Sequence, residues 1–193
     1  MCDDGSSDDT AEICRSHGCY VVSHLINLGA GPATQTAIDY ALMLGAEYVV
    51  TIDADGQHLP KDIHRFIDAW KQDSRLDVVL GSRFLEAKQS VPRIRRVFNK
   101  IASLITWILS GIWLSDSQSG FRGYTRSAAG QIKIESSGYE FATEVIREIA
   151  HYDLNYKEVP IDVIYHGEWR DRGQSFATGV SMVFRLFVRA IFK

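Results

Sequence analysis

Residues 53–58 read DADGQH and follow an apolar run, AEYVVTI, at 46–52. Asp53 and Asp55 stand one residue apart, and Gln57 adds a carbonyl oxygen. Hard oxygen ligands at this spacing suit Mg²⁺ or Mn²⁺ beside a diphosphate, because these ions keep several waters and share substrate phosphates. On spacing alone, Asp-x-Asp-Gly is a turn with solvated carboxylates. Its place at the end of a buried strand favours a site. A second acidic segment, DDGSSDDT at 3–10, presents Asp3 and Asp4, where a carboxylate can accept hydrogen bonds from a base or ribose. Its residues 6–9 can cap the helix that follows. In NLGAGPA (27–33), Gly29 and Gly31 permit close backbone approach to a ligand just before a helix. The segment is not the dinucleotide pattern GxGxxG, since position 34 is Thr.

These loops need elements to hold them. CYVVSHL (19–25), AEYVVTID (46–53), LDVVLGSRF (76–84) and YKEVPIDVIYH (156–166) read as strands rich in β-branched residues. GPATQTAIDYALMLG (31–45), PKDIHRFIDAWKQD (60–73) and GYEFATEVIREIAHYD (138–153) read as helices. In the second of these, Ile63, Phe66, Ile67 and Trp70 share one apolar face. Strand–helix alternation predicts an α/β fold with a mainly parallel, doubly wound sheet, whose ligands sit at the carboxyl ends of the strands. Residues 93–113 predict a long amphipathic helix that opens on RIRR and turns apolar, and 116–126, DSQSGFRGYTR, a polar loop leading to a short strand. The segment 176–193 predicts an amphipathic helix with Arg185, Arg189 and Lys193 on one face, a pattern met at membrane interfaces. Residues 1–175 are then one catalytic domain. A parallel sheet places a strand before a loop such as DDGS, and only Met1 and Cys2 precede it, so the first strand of the fold is expected to be missing from this chain.

Composition narrows the class. A chain of 193 residues with 46% hydrophobic and 23% charged residues suits one globular domain with a sizeable core. A net charge of −3 argues against general nucleic-acid binding. Three cysteines with no paired spacing suggest no zinc site and a reduced, cytosolic setting. The longest uncharged run, 101–115, has 15 residues, short of the ~20 that span a bilayer. No membrane span is expected, and oligomeric state is not legible.

Taken in order, DDGSSDDT, NLGAGPA, DADGQH, GSRF and DSQSGFRGYTR resemble glycosyltransferase family 2, in particular its dolichol-phosphate mannosyltransferase and polyprenyl-phosphate hexosyltransferase branch. The resemblance runs from residue 3 to about 176. It implies a nucleotide-diphospho-sugar transferase (Rossmann-like) fold and an inverting hexosyl transfer from GDP-mannose or UDP-glucose type donors to a polyprenyl phosphate. It implies that Asp4 contacts the nucleoside with Asp3 beside it, that Asp53 approaches ribose and diphosphate, and that Asp55 and Gln57 hold the metal. It further implies a cytoplasmic enzyme, peripheral at the inner face of the membrane.

A lipid phosphate acceptor requires cations near the metal and an apolar surface close by. Arg83 in GSRF, Arg95 and Asn99 on the long helix, Arg122 after SGF and Arg170 in EWRDRGQS are the expected acceptor-phosphate contacts; Gln174 replaces the Glu usual in that last segment. A phosphate acceptor is already ionised and needs no base. A saccharide hydroxyl acceptor, the alternative, needs one, and Asp116 is the candidate. A donor-binding fragment without turnover is the remaining reading.

Overall fold

The computed structural model describes residues 1–86, 91, 93–138 and 140–164, with backbone only at 93–95. Arg170, the 176–193 helix and the Arg95 side chain lie outside the described residues.

Among the described residues, six strands and six helices follow one another. Strand β1 (Cys2–Asp3) leads through the DDGS loop to α1 (Thr10–Ser16), β2 (Val22–Ser23), α2 (Ala30–Met43) and β3 (Tyr48–Thr51). A 3₁₀ turn over Pro60–Asp62 opens α3 (Ile63–Gln72), and β4 (Val78–Ser82) follows. The remainder is α4 (Arg93–Ser110), β5 (Arg122–Thr125), α5 (Arg126–Gln131), α6 (Phe141–His151) and β6 (Tyr156–Pro160). Cys2–Asp3 thus supplies a short strand before the DDGS loop, paired in parallel with Val22–Ser23. The strand expected over 19–25 contracts to those two residues.

The central sheet has the order β3-β5-β4-β6. Strands β4 and β6 are parallel, while β5 runs antiparallel to both β3 and β4. The reversed β5 has a simple cause. After α4 the chain returns at the carboxyl edge of the sheet, where Ser115 meets Ser82 and the Phe121 carbonyl accepts from the Gly81 N–H. It enters the sheet there with no crossover helix, so it can only run backwards.

Alternate residues of β4 serve two cores. Val78 and Leu80 join Ile38, Tyr124, Val145 and Ile149 on one face, and Val79 joins Phe66, Trp70, Phe121 and Ile161 on the other. Phe66 and Trp70 of α3 are buried as the periodicity predicts, but Ile67 faces out. Among the described residues no helix is long and apolar enough to cross a membrane.

Helix α4 is built inside out. Asn99, Ala102, Ser103 and Thr106 face inward, where Ser103 bonds Ser117 and Thr106 bonds Thr143. Val97, Ile101, Leu104, Trp107 and Ile108 face outward, and Trp107 packs edge-on against the exposed Trp113 at 6.1 Å.

Candidate active site

The carboxyl edge of the sheet gathers four loops. DADGQH leaves β3, GSRF leaves β4, DSQSGFR enters β5, and residues 161–164 leave β6. In the first of these, Asp55 Oδ1 accepts from the Gln57 N–H at 2.9 Å, a turn that holds the loop in shape and leaves Asp55 open to solvent. The loop is also stitched to the chain after β6: Ile164 N–H donates to the Gln57 carbonyl at 2.9 Å, and His58 bridges Val163.

Asp53 folds across Gly120, where an added Cβ would come within 2.7 Å of Oδ2 and displace the carboxylate. Thr51 Oγ1 ties the same point by donating to the Gly120 carbonyl at 2.9 Å. Crowding by protein raises the Asp53 pKa, opposed by His58 and reinforced by the like charge of Asp55. His58 is buried edge-on against Phe121 at 5.4 Å, its Nδ1 has no partner, and burial lowers its pKa, opposed by the nearby Asp53 carboxylate.

The metal expectation fits this loop chemically. Two carboxylates and an amide oxygen are present, Asp53 and Asp55 are both open to solvent, and the Asp53 carboxylate is crowded by protein and by a like-charged neighbour. Among the described residues no three His, Cys, Asp or Glu side chains surround one point. A cation here would therefore draw its other ligands from phosphate and water, as Mg²⁺ and Mn²⁺ do.

The nucleoside side departs from expectation in detail. Asp4 accepts from Leu28 N–H (2.9 Å), Gly29 N–H (2.8 Å) and His24 Nδ1 (2.7 Å), so it ties the DDGS loop to the NLGAG loop. Those bonds depress its pKa against the opposing effect of burial, which is the largest single influence. Asp3 is buried and accepts from Ser6 N–H at 3.2 Å; hydrogen bonding by the Ser6 side chain, and less by that backbone bond, lowers its pKa against burial. Gly29 and Gly31 do allow close approach, but what approaches is this chain. Added Cβ atoms would lie 2.1 Å from the Ser137 carbonyl and 1.7 Å from the Ser136 carbonyl, and Gly29 has φ = 100°.

The acceptor side is more tightly assembled. Arg83 grips Asp116 through Nε at 2.6 Å and Nη2 at 2.8 Å, and its own backbone N–H donates to the same carboxylate at 3.1 Å. Asn99 Oδ1 accepts from Arg83 Nη2 at 3.4 Å. The Asp116 side chain is fully buried, so as the structure stands it is the counter-ion of Arg83 and not an exposed base. Arg122 is buried too: it donates to the carbonyls of Ser119 (2.8 Å), Ser117 (2.9 Å) and Ala142 (3.0 Å). It binds its own loop through Nε and Nη2, while its buried Nη1 has no partner. Its burial was not legible, because an Arg after SGF reads equally as surface charge.

Sequence reasoning missed Gly120, His24 and Glu158. Only Gly120 left a signal, as a glycine beside aromatic and basic residues in a polar loop.

Comparison with known proteins accords with this geometry. The description Glycosyl transferase family 2 matches residues 1–133. An uncharacterized protein of Methanocaldococcus jannaschii is 36% identical, covering 98% of this chain and 79% of its own length. A UDP-N-acetylglucosamine–dolichyl-phosphate N-acetylglucosaminyltransferase of Methanococcus voltae is 33% identical, covering 96% and 82%. The crystal structure of Mycobacterium tuberculosis glucosyl-3-phosphoglycerate synthase matches with TM-score 0.70 and 19% identity, over 96% of this chain and 65% of that one. The same enzyme solved with Mn²⁺ and UDP-glucose matches with TM-score 0.61 and 17% identity, over 94% and 66%. At that identity the likeness is one of fold, the nucleotide-sugar transferase fold. With the matched profile covering more than half its length, the chain belongs to glycosyl transferase family 2.

Proposed function

We propose that this protein transfers a hexose, of the GDP-mannose or UDP-glucose donor type, to the phosphate of a polyprenyl or dolichyl lipid at a membrane surface, inverting the anomeric carbon. The observation that carries the lipid acceptor is the reversed polarity of α4. Its inward face holds Asn99 against Arg83, and its outward face offers Val97, Ile101, Leu104, Trp107 and Ile108 to an apolar phase. Only the helix diameter, ~10 Å, separates the two. A phosphate at Arg83 and a prenyl chain along α4 are thus compatible with one bound molecule. Lys100 on the exposed side suits anionic head groups, and Trp107 and Trp113 suit the interfacial zone. The relative named for dolichyl phosphate supports the same acceptor class.

Asp55 and Gln57 hold the divalent cation in this reading, with Asp53 facing the donor's ribose and diphosphate. Bound there, Mg²⁺ or Mn²⁺ supplies positive charge that stabilises the departing nucleoside diphosphate. Asp3 and Asp4 shape the nucleoside end, Asp4 by fixing the two loops that border it. Arg83, held in direction by Asp116, faces the acceptor phosphate, with Arg95 and Arg170 as its expected companions. An acceptor phosphate oxygen attacks the anomeric carbon, the carbon–oxygen bond to the diphosphate breaks, and the diphosphate leaves with that electron pair. Attack from the opposite face inverts the centre. No proton has to be removed from an ionised phosphate, which accords with Asp116 being occupied by Arg83.

The test uses purified protein, Mn²⁺, labelled GDP-mannose, UDP-glucose and UDP-N-acetylglucosamine, and polyprenyl phosphate in vesicles. Label moving into an organic-extractable, acid-labile product is expected. Transfer to soluble saccharides with none to the lipid phosphate would overturn the reading.

A further inference from the structure

Glu158 lies on β6 opposite Leu80 of β4, and nothing in the motifs marks it out. Its carboxylate nevertheless gathers the turn that carries Asp116. Ser115 N–H donates to both carboxylate oxygens at 3.1 Å, Ser115 Oγ donates to Oε1 at 2.7 Å, and Asp116 N–H reaches Oε1 at 3.3 Å.

The direction of the next bond follows from counting protons. Ser115 has one hydroxyl proton, and Glu158 takes it. At its 2.5 Å contact with Ser82 Oγ, Ser115 must therefore accept and Ser82 must donate. Ser82 Oγ in turn accepts from Phe84 N–H at 3.2 Å. A one-way chain thus runs from Phe84 N–H through Ser82 and Ser115 to Glu158. A second route runs from the Glu158 carboxylate through the Asp116 backbone to the Asp116 carboxylate and the Arg83 guanidinium. The two routes grip Arg83 itself and the residue after it. Every group around Glu158 is a donor, which suits a carboxylate and not an amide.

We infer that Glu158 is a positioning residue: through the Ser115–Asp116 turn it sets the direction in which Arg83 presents its guanidinium to the acceptor phosphate. This rests on the proposed acceptor, so its test includes a measurement independent of turnover.

Glu158→Gln keeps the side-chain size but sets an NH₂ against N–H donors. The acceptor kcat/KM is expected to fall about tenfold or more, with donor KM unchanged. In an Arg83→Lys background the same substitution should add little, because both act through one guanidinium. The arginine Nε–H resonance that disappears in Arg83→Lys should shift or broaden in Glu158→Gln. Ser115→Ala, which keeps the backbone bonds to Glu158 and cuts only the hydroxyl chain, should move it less, and it serves if Glu158→Gln folds poorly. Equal losses in donor and acceptor parameters, additive effects in the double mutant, or an unmoved Arg83 resonance would each overturn the assignment. If the wild type transfers nothing to polyprenyl phosphate, the acceptor reading fails, and the resonance alone decides the role of Glu158.

Discussion

The loop after β3 and the loop before β5 meet at Gly120, yet they treat their charges in opposite ways. DADGQH leaves Asp55 in solvent, crowds Asp53 beside a like charge and leaves His58 Nδ1 unbonded. DSQSGFR spends most of its charge internally: Asp116 on Arg83, and Arg122 on three carbonyls, with the Arg122 Nη1 alone left without a partner. Buried polar groups are normally satisfied, so a loop that leaves its charges strained is arranged for something brought from outside. The more fully bonded loop is scaffold. In the proposed reading, the donor side is completed by cation and diphosphate, while the acceptor side is largely preformed.

Substitutions can break or sharpen this contrast. The largest effect is expected at Asp55, where Asp55→Ala should cut transfer about 10²- to 10³-fold with little change in the urea midpoint, because the exposed side chain makes a single turn bond to the Gln57 N–H. Undiminished transfer across a Mn²⁺ titration would remove the metal assignment. Next comes Arg122→Leu, which leaves three carbonyls without their donor. A loss of about 3 kcal/mol in urea unfolding is expected. Unchanged stability with a raised acceptor KM would instead return Arg122 to the phosphate site.

A smaller effect of opposite sign is expected at Asp53. Its folded pKa is raised above the ordinary 3.8, so its favourable contribution to folding is complete only below that value. That contribution is lost as pH rises through the raised folded value, and the ionised carboxylate opposes folding at neutral pH. Asp53→Asn should therefore raise Tm at pH 7 only slightly, since the residue is partly open to solvent, while lowering transfer less than Asp55→Ala does, and the gain should vanish in acid. A lower Tm at pH 7 would show that the carboxylate is structural. The smallest change in stability, within about 0.5 kcal/mol, is expected for Ile108→Ser on the outward face of α4. The same variant should bind vesicles of anionic lipid more weakly in a flotation assay. Vesicle binding equal to wild type would mean that this face meets something other than lipid.

Much of the donor loop was legible because its signal is local. DADGQH after a β-branched run announces a strand end with hard ligands, and Pro60 with Phe66 and Trp70 announces the helix that follows. The residues proposed for the acceptor site could be picked out singly but not as partners. Arg83 and Asp116 are 33 positions apart, and nothing in either segment says that each occupies the other. The polarity of α4 shows the same limit. Its amphipathic period is plain, but the natural inference sends the apolar stripe inward, whereas Ser115, Ser117 and Thr143 draw Asn99, Ser103 and Thr106 in.

By itself the sequence determined the alternation of elements, the family and the position of the acidic turn at the sheet edge, since each depends on short-range periodicity or on a motif contiguous in the chain. Only the tertiary structure decided that β5 runs backwards, that Gly29 and Gly31 make room for Ser136 and Ser137, and that Arg122 is buried under its own loop. It also decided that Glu158 stands behind Arg83. Each of these depends on which distant backbone donor or acceptor is brought within hydrogen-bond reach, and that is fixed by how the loops fold back over the sheet.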